Sequence, residues 1–207
     1  MIKSLLASLS LAALCALPAQ AATVVDTGTP NGQAVGALAF DSFDWVAAQV
    51  AFSKTSNVDA IQGHILGGAT GETFDISLFS ADGGSGPGSL LYTTTATFGA
   101  DGWNGVSGLS GWNVAAGSYW IEFEIQGGDT LGGSSVTGAL FDLGAPSPLA
   151  TTASTADGGF SYQDDPLSFG LRVDASAVSA VPWPASAALM LAGIALLSAA
   201  SLVRRLR

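Results

Sequence analysis

The 207-residue chain carries 27 glycines, one cysteine and one histidine, with a formal charge of −10. That charge is uneven: between Asp26 and Asp174 all 16 acidic residues face only two cations, Lys54 and Arg172, which leaves −14 on that stretch. A field of this sign repels nucleic acid and anionic headgroups, so binding of DNA or RNA through a basic patch is excluded, while cations and neutral polysaccharides stay compatible.

The first segment, MIKSLLASLSLAALCALPAQA, joins Lys3 to an apolar run from Leu5 to Leu17 and ends on the small residues Ala19 and Ala21. This is the pattern of a secretory signal peptide over residues 1–21, with signal peptidase as the expected partner. Pro18 interrupts the helix ahead of the cleavage region, which puts the mature start near Ala22. Cys15 does not make a lipoprotein site, because Leu14 stands where a small residue is required and the apolar run continues past it. Cleavage therefore removes the chain's cysteine, and disulfide or thiolate chemistry goes with it.

Residues 22–175 read as one all-β domain. AVGALAFD, WVAAQVAFS, DAIQGHIL, TFDISLFS, SLLYTTTATF, SYWIEFEIQ, SVTGALFD and LSFGLRVDA are the candidate strands, separated by glycine-rich turns and without a capped helical period. In TFDISLFS, Phe74, Ile76 and Leu78 oppose Thr73, Asp75 and Ser77. In SYWIEFEIQ, Tyr119, Ile121, Phe123 and Ile125 oppose Trp120, Glu122, Glu124 and Gln126, and near the end Leu167, Phe169, Leu171 and Val173 share an apolar face. Alternation of this kind predicts an antiparallel β-sandwich, and a jelly-roll-like arrangement accommodates that many strands.

Several residues in this domain are candidates for chemistry. Glu122 and Glu124, two apart on one strand, share a face about 7 Å apart at the backbone, a spacing open to a glycosidase pair but also to a solvated strand face. Trp45, Trp103, Trp112 and Trp120 could stack on sugar rings while those carboxylates bond hydroxyls, or could fill the core. His64 has neither a Gly-X-Ser-X-Gly elbow nor a partner in IQGHIL, and one histidine without a mature cysteine makes no zinc site. ADGGSGPG lacks the Gly-Lys-Ser/Thr ending of a phosphate loop and reads as a turn. No metal or cofactor is expected. Calcium is the one ion kept open, on the loop residues Asp82, Asp101, Asp129, Asp157, Asp164 and Asp165, none at EF-hand spacing.

Residues 176–180 form a short Ala/Ser/Val linker, and VPWPA follows at Val181, Pro182, Trp183, Pro184 and Ala185. From Ala185 to Val203 no charge occurs, and at about 1.5 Å per helical residue this run reaches roughly 28 Å, the hydrocarbon thickness of a bilayer. Arg204, Arg205 and Arg207 then hold the terminus on the cytoplasmic side, in agreement with a signal peptide that exports the domain before them. Val-Pro-X-Pro-Ala, an apolar helix and a terminal arginine cluster together resemble the PEP-CTERM sorting signal of bacterial envelope proteins, in a variant form with Trp183 where Glu is usual. FDISLFSADGGSGPGSLLY, NVAAGSYWIEFE and FGLRV are similar to the secreted β-sandwich domains often paired with that tail.

The resemblance implies recognition by an exosortase, transient residence in the inner membrane through the C-terminal helix, and release or transfer to the cell surface or extracellular matrix of a Gram-negative bacterium. The expected function is thus a non-enzymatic exported protein, with exopolysaccharide as the candidate ligand. A polysaccharide-active hydrolase or lyase is the alternative on the chemical side, and a permanently anchored envelope protein on the sorting side.

Overall fold

The structure, a computed structural model, describes residues 21–31, 36–82, 84–133 and 138–178. The signal helix with Ala19, the sorting motif from Val181 to Ala185, the transmembrane helix and Arg204, Arg205 and Arg207 lie outside the described residues.

Among the described residues there are thirteen strands and no helix: β1 (Ala21–Asp26), β2 (Ala37–Phe40), β3 (Trp45–Phe52), β4 (Ser56–Leu66), β5 (Thr73–Ser80), β6 (Leu90–Thr97), β7 (Gly102–Ser107), β8 (Asn113–Val114), β9 (Gly117–Glu124), β10 (Ala139–Asp142), β11 (Thr152–Thr155), β12 (Gln163–Asp164) and β13 (Leu171–Ala177). They form two antiparallel sheets. One runs β1-β13-β4-β10-β2, with β7 and β8 also on β4; the other runs β12-β11-β3-β9-β5-β6.

The alternation in sequence selects the inner faces. Val46, Val50, Phe74, Ile76, Leu78, Ile121 and Phe123 of the second sheet meet Ile61, Ile65, Phe141, Leu171 and Val173 of the first, all at or below 1 % exposure. Phe123, Phe141 and Phe169 pack edge to face, with Phe123 and Phe141 centroids 5.1 Å apart. Gly63 of β4 makes this closure feasible, because a Cβ there would lie 2.8 Å from Phe141 and 2.9 Å from Phe123.

Three boundaries differ from the sequence reading. Leu167 and Phe169 are buried as expected but precede β13. That strand continues to Ala177, two residues into the stretch read as a linker, because Ser176 and Ala177 still find backbone partners in Asn57 and Ser56. Ala21, read as the last signal residue, opens β1 opposite Ser176.

The larger correction concerns β9. Its polar face is not solvated: Trp120, Glu122 and Glu124 are 1 %, 0 % and 2 % exposed. β9 is flanked by β3 and β5 in mid-sheet, and the segment that follows β11 folds over its outer side. A central strand covered on both faces buries whatever it carries, charged or not.

Candidate functional site

The outer face of the second sheet builds the site one cross-strand row at a time. Ala153 of β11 stands opposite Ala47 of β3, Ala47 opposite Glu122 of β9, and Glu122 opposite Ser77 of β5. The two alanines leave a hollow beside Glu122. Tyr162 fills it, packing with Trp120, Ala47 and Ala153, and its hydroxyl donates to Glu122 Oε1 at 2.6 Å. Gly86 comes close to the same ring from another turn: a Cβ there would sit 2.5 Å from Tyr162 Cβ.

The segment leading to Tyr162 is held by Asp157. Its carboxylate accepts from the Ser161 hydroxyl (2.6 Å), the Thr155 hydroxyl (2.7 Å) and the Ser161 amide (2.9 Å). Hydrogen bonds to the charged form, that of Ser161 foremost, hold this acid down at about 2. Gly158 and Gly159 turn the backbone at φ 69° and 84°, where a side chain would be strained. Gly158 N donates to Phe43 O at 3.0 Å, and Gly159 lies so close to Trp45 that a Cβ would be 2.5 Å from the indole. This geometry lifts Phe160 out to 92 % exposure beside Phe43, itself 63 % exposed.

Between these parts lies a cleft of about 680 Å³. Glu122 and Glu124 line its floor, Trp45 and Tyr162 its wall, and Phe43 and Phe160 its mouth; the turn from Gln126 to Asp129 closes the other side. The polar atoms there are incompletely satisfied. Glu122 Oε2, Glu124 Oε1 and the neighbouring Asp75 Oδ1 have no hydrogen-bond partner, nor do the indole nitrogens of Trp45 and Trp120. Orphaned buried polar groups of this kind are rare and costly in folded proteins.

The acids respond to burial as a set. Burial pushes Glu122 up to about 8, with the charge of Glu124 adding to it and the Tyr162 hydrogen bond opposing it. Glu124 is raised by burial and by the charges of Asp75 and Asp129, against hydrogen bonds from Ser77 and Gln126. Asp129 is raised by burial and by Asp75, and Tyr162 by burial and by Glu122. Among the described residues no basic side chain lines the cleft: Arg172 pairs with Asp26 on the other sheet, and Lys54 lies beyond Phe52 at the far end of β3. The arrangement offers one acid, Glu122, that holds its proton near neutrality, buried carboxylate oxygens left unpaired, and an aromatic mouth. It suits a ligand with hydroxyls on its edge and an apolar ring face.

Of the four tryptophans singled out in the sequence, Trp45 lines the cleft, and the other three do not share a platform with it. Trp120 is buried under Tyr162. Trp112 is buried and stacks on Tyr92 at 5.3 Å. Trp103 is half-buried on the other sheet, edge-on to His64 at 5.3 Å and with the Arg172 guanidinium 3.9 Å above its ring. His64 Nδ1 lies 3.3 Å from Asp142 Oδ2 without hydrogen-bond alignment. Of the loop aspartates considered for calcium, Asp101 accepts from Gly67 N at 2.7 Å, Asp82 from Ser89, and Asp165 from Ser154. Among the described residues no three acidic or imidazole groups are gathered to hold a metal ion.

Phe43, Phe160 and Tyr162 are the site residues that the sequence reading did not single out. Their signal is an aromatic inside a turn composition, in DSFDW and DGGFSYQDD, where nothing nearby can bury it. Compared with protein-family models and with curated proteins, the chain matches none.

Proposed function

We propose that this chain is an exported, non-enzymatic β-sandwich protein that binds a saccharide in the cleft between the outer face of β9 and the segment around Phe160. We read its strands, which pass repeatedly from sheet to sheet, as jelly-roll-like. In this proposal the tail at Val181 to Ala185 is processed by an exosortase, and the body ends at the cell surface or in the extracellular matrix of a Gram-negative bacterium, with exopolysaccharide as the ligand. The observation that carries the binding reading is the pairing of two exposed phenylalanines with partnerless carboxylate oxygens around one cleft. Exposed rings stack on sugar faces, and acceptors that the fold leaves unpaired gain most from ligand hydroxyls.

Hydrolysis is the second reading, favoured by the proton that Glu122 holds up to about 8, as a general acid requires. Against it, Glu122 and Glu124 rise from one strand on one side of the cleft, whereas glycosidases set their acids on either side of the scissile bond. A lyase would need a cation to neutralise a uronate, and among the described residues none lines the cleft. Glycan-array binding followed by calorimetry tests the proposal. Phe160→Ala and Phe43→Ala are each expected to weaken binding by about tenfold, as lost stacking does, while Trp103→Ala on the other sheet leaves it unchanged. Absence of glycan binding, or binding indifferent to both phenylalanines, overturns it; release of reducing ends would move the assignment to hydrolysis.

A further inference from the structure

The chemistry of the cleft floor narrows the ligand further, on the premise that the saccharide reading above holds. Glu122 and Glu124 line the cleft together with Asp129 and Asp157; the charge of Glu124 raises Glu122, those of Asp75 and Asp129 raise Glu124, and that of Asp75 raises Asp129. From every side the groups facing Glu122 are neutral or acidic: Ala47 from β3, Ser77 from β5, Glu124 on its own strand, and Tyr162 and Asp157 from the covering segment. An anionic sugar would add a charge of the same sign and is disfavoured. A neutral sugar would satisfy hydroxyl geometry but leave the mutual repulsion untouched.

Gln126 hints at what the floor accepts. Its side-chain amide reaches back to donate to Glu124 Oε2, from an exposed position that a ligand can displace. The fold thus places a nitrogen donor on this acid from the solvent side, while Glu124 Oε1 and Glu122 Oε2 go without one. A compact metal ion is a poor substitute, since among the described residues no three acids converge on one point. An organic ammonium spreads its three donors over separate acceptors and, beside aromatic faces such as Phe43, Phe160 and Trp45, gains cation–π attraction as well.

We propose that the cleft selects a saccharide bearing a free, protonated amine, whose ammonium displaces Gln126 and lodges against Glu124 and Glu122 while the apolar face of its ring lies on Phe43 and Phe160. The proton balance follows. At neutral pH an acid on the floor gives up its proton to the buffer as the ammonium arrives, so binding releases protons and strengthens with pH until the amine itself deprotonates.

Titration calorimetry of the purified protein tests this with three probes: an oligomer of glucosamine, the same oligomer fully N-acetylated, and an oligogalacturonate. Runs in two buffers of different ionisation enthalpy count the protons released. The glucosamine oligomer is expected to bind about tenfold or more tightly than the acetylated one, as one charge-assisted contact implies, with proton release at neutral pH and no binding of the uronate. Glu124→Gln is expected to lower glucosamine affinity by about tenfold, and Glu122→Gln to abolish the proton release; should one variant misfold, the other still reads the site. Equal or tighter binding of the acetylated oligomer, still dependent on Phe160, overturns the amine selection and leaves the saccharide site standing. If no saccharide binds, both fall. Trilysine competing as well as the amino sugar, or calcium alone saturating the site and blocking the amine, also overturns it.

Discussion

Glu122 sits with 0 % exposure between Ala47 and Ser77, accepting one hydrogen bond from Tyr162 and keeping its second oxygen unpaired. Unfolded, such a carboxyl titrates at 4.5; in the fold it keeps its proton up to about 8. Between those values the native state binds more protons than the unfolded chain, so stability falls as pH rises. The contribution is fully present below the lower value and lost once pH passes the upper one, on the order of 5 kcal/mol across the window. Glu122→Gln keeps an acceptor for Tyr162 and removes the titration. Thermal melts between pH 5 and pH 9 should show the natural protein losing midpoint temperature steadily and the variant much less; parallel slopes for the two would mean that water reaches Glu122 and keeps it ionised.

At the scale of elements, the covering segment decides whether β9 is a surface or an interior. Its shape depends on Gly159, which has a positive φ and lies against Trp45 where a Cβ would be 2.5 Å away. Gly159→Ala should therefore destabilise the protein by about 1–3 kcal/mol through strain and overpacking. It should also shift Trp45 emission to longer wavelength as the segment lifts; unchanged melting and emission would show that the segment tolerates the methyl group. The same elements explain what could be read in advance. TFDISLFS coincides with β5 because its inner residues alternate strictly and meet the core. SYWIEFEIQ gives the right strand but the wrong environment for its outer residues, since the cover arrives from some 40 residues away in a stretch without period. β11 (TAST) and β12 (QD) escape the reading too, being short, with small or polar side chains, and paired only because β3 offers β11 an edge. The cleft was legible only in pieces, as two glutamates, Trp45 and the loop acids Asp129 and Asp157 with nothing to say that they meet: the alanines that make room for Tyr162 carry no functional signal of their own.

At the scale of the whole molecule, the chain enters and leaves the sandwich at one corner, where Ala21 of β1 pairs with Ser176 of β13. Ala22, Val24 and Ala175 there line a hollow with Phe52 and Lys54. Trp45, at the opposite end of β3, lines the cleft; from Trp45 to Phe52 the strand covers roughly 23 Å at about 3.3 Å per residue. Within the sandwich the cleft thus lies at the opposite end of β3 from the corner where the chain enters and leaves. The proposed sorting is a question of mass. If the tail is cut, intact-mass analysis of the protein from envelope and culture supernatant should find a species ending between Pro182 and Ala185, and joint replacement of Pro182 and Pro184 by Ala should make full-length chain accumulate in the inner membrane. A fixed anchor predicts Arg207 retained in both forms, with the prolines without effect on length. The acidic body sharpens the contrast, because 16 acidic residues against Lys54 and Arg172, all but Glu72, Glu122, Glu124 and Asp142 outside the core, make it repelled by anionic lipid once the apolar tail is gone. A cut body should therefore wash from the membrane at low salt, and one that stays attached without its tail must be held by a covalent acceptor.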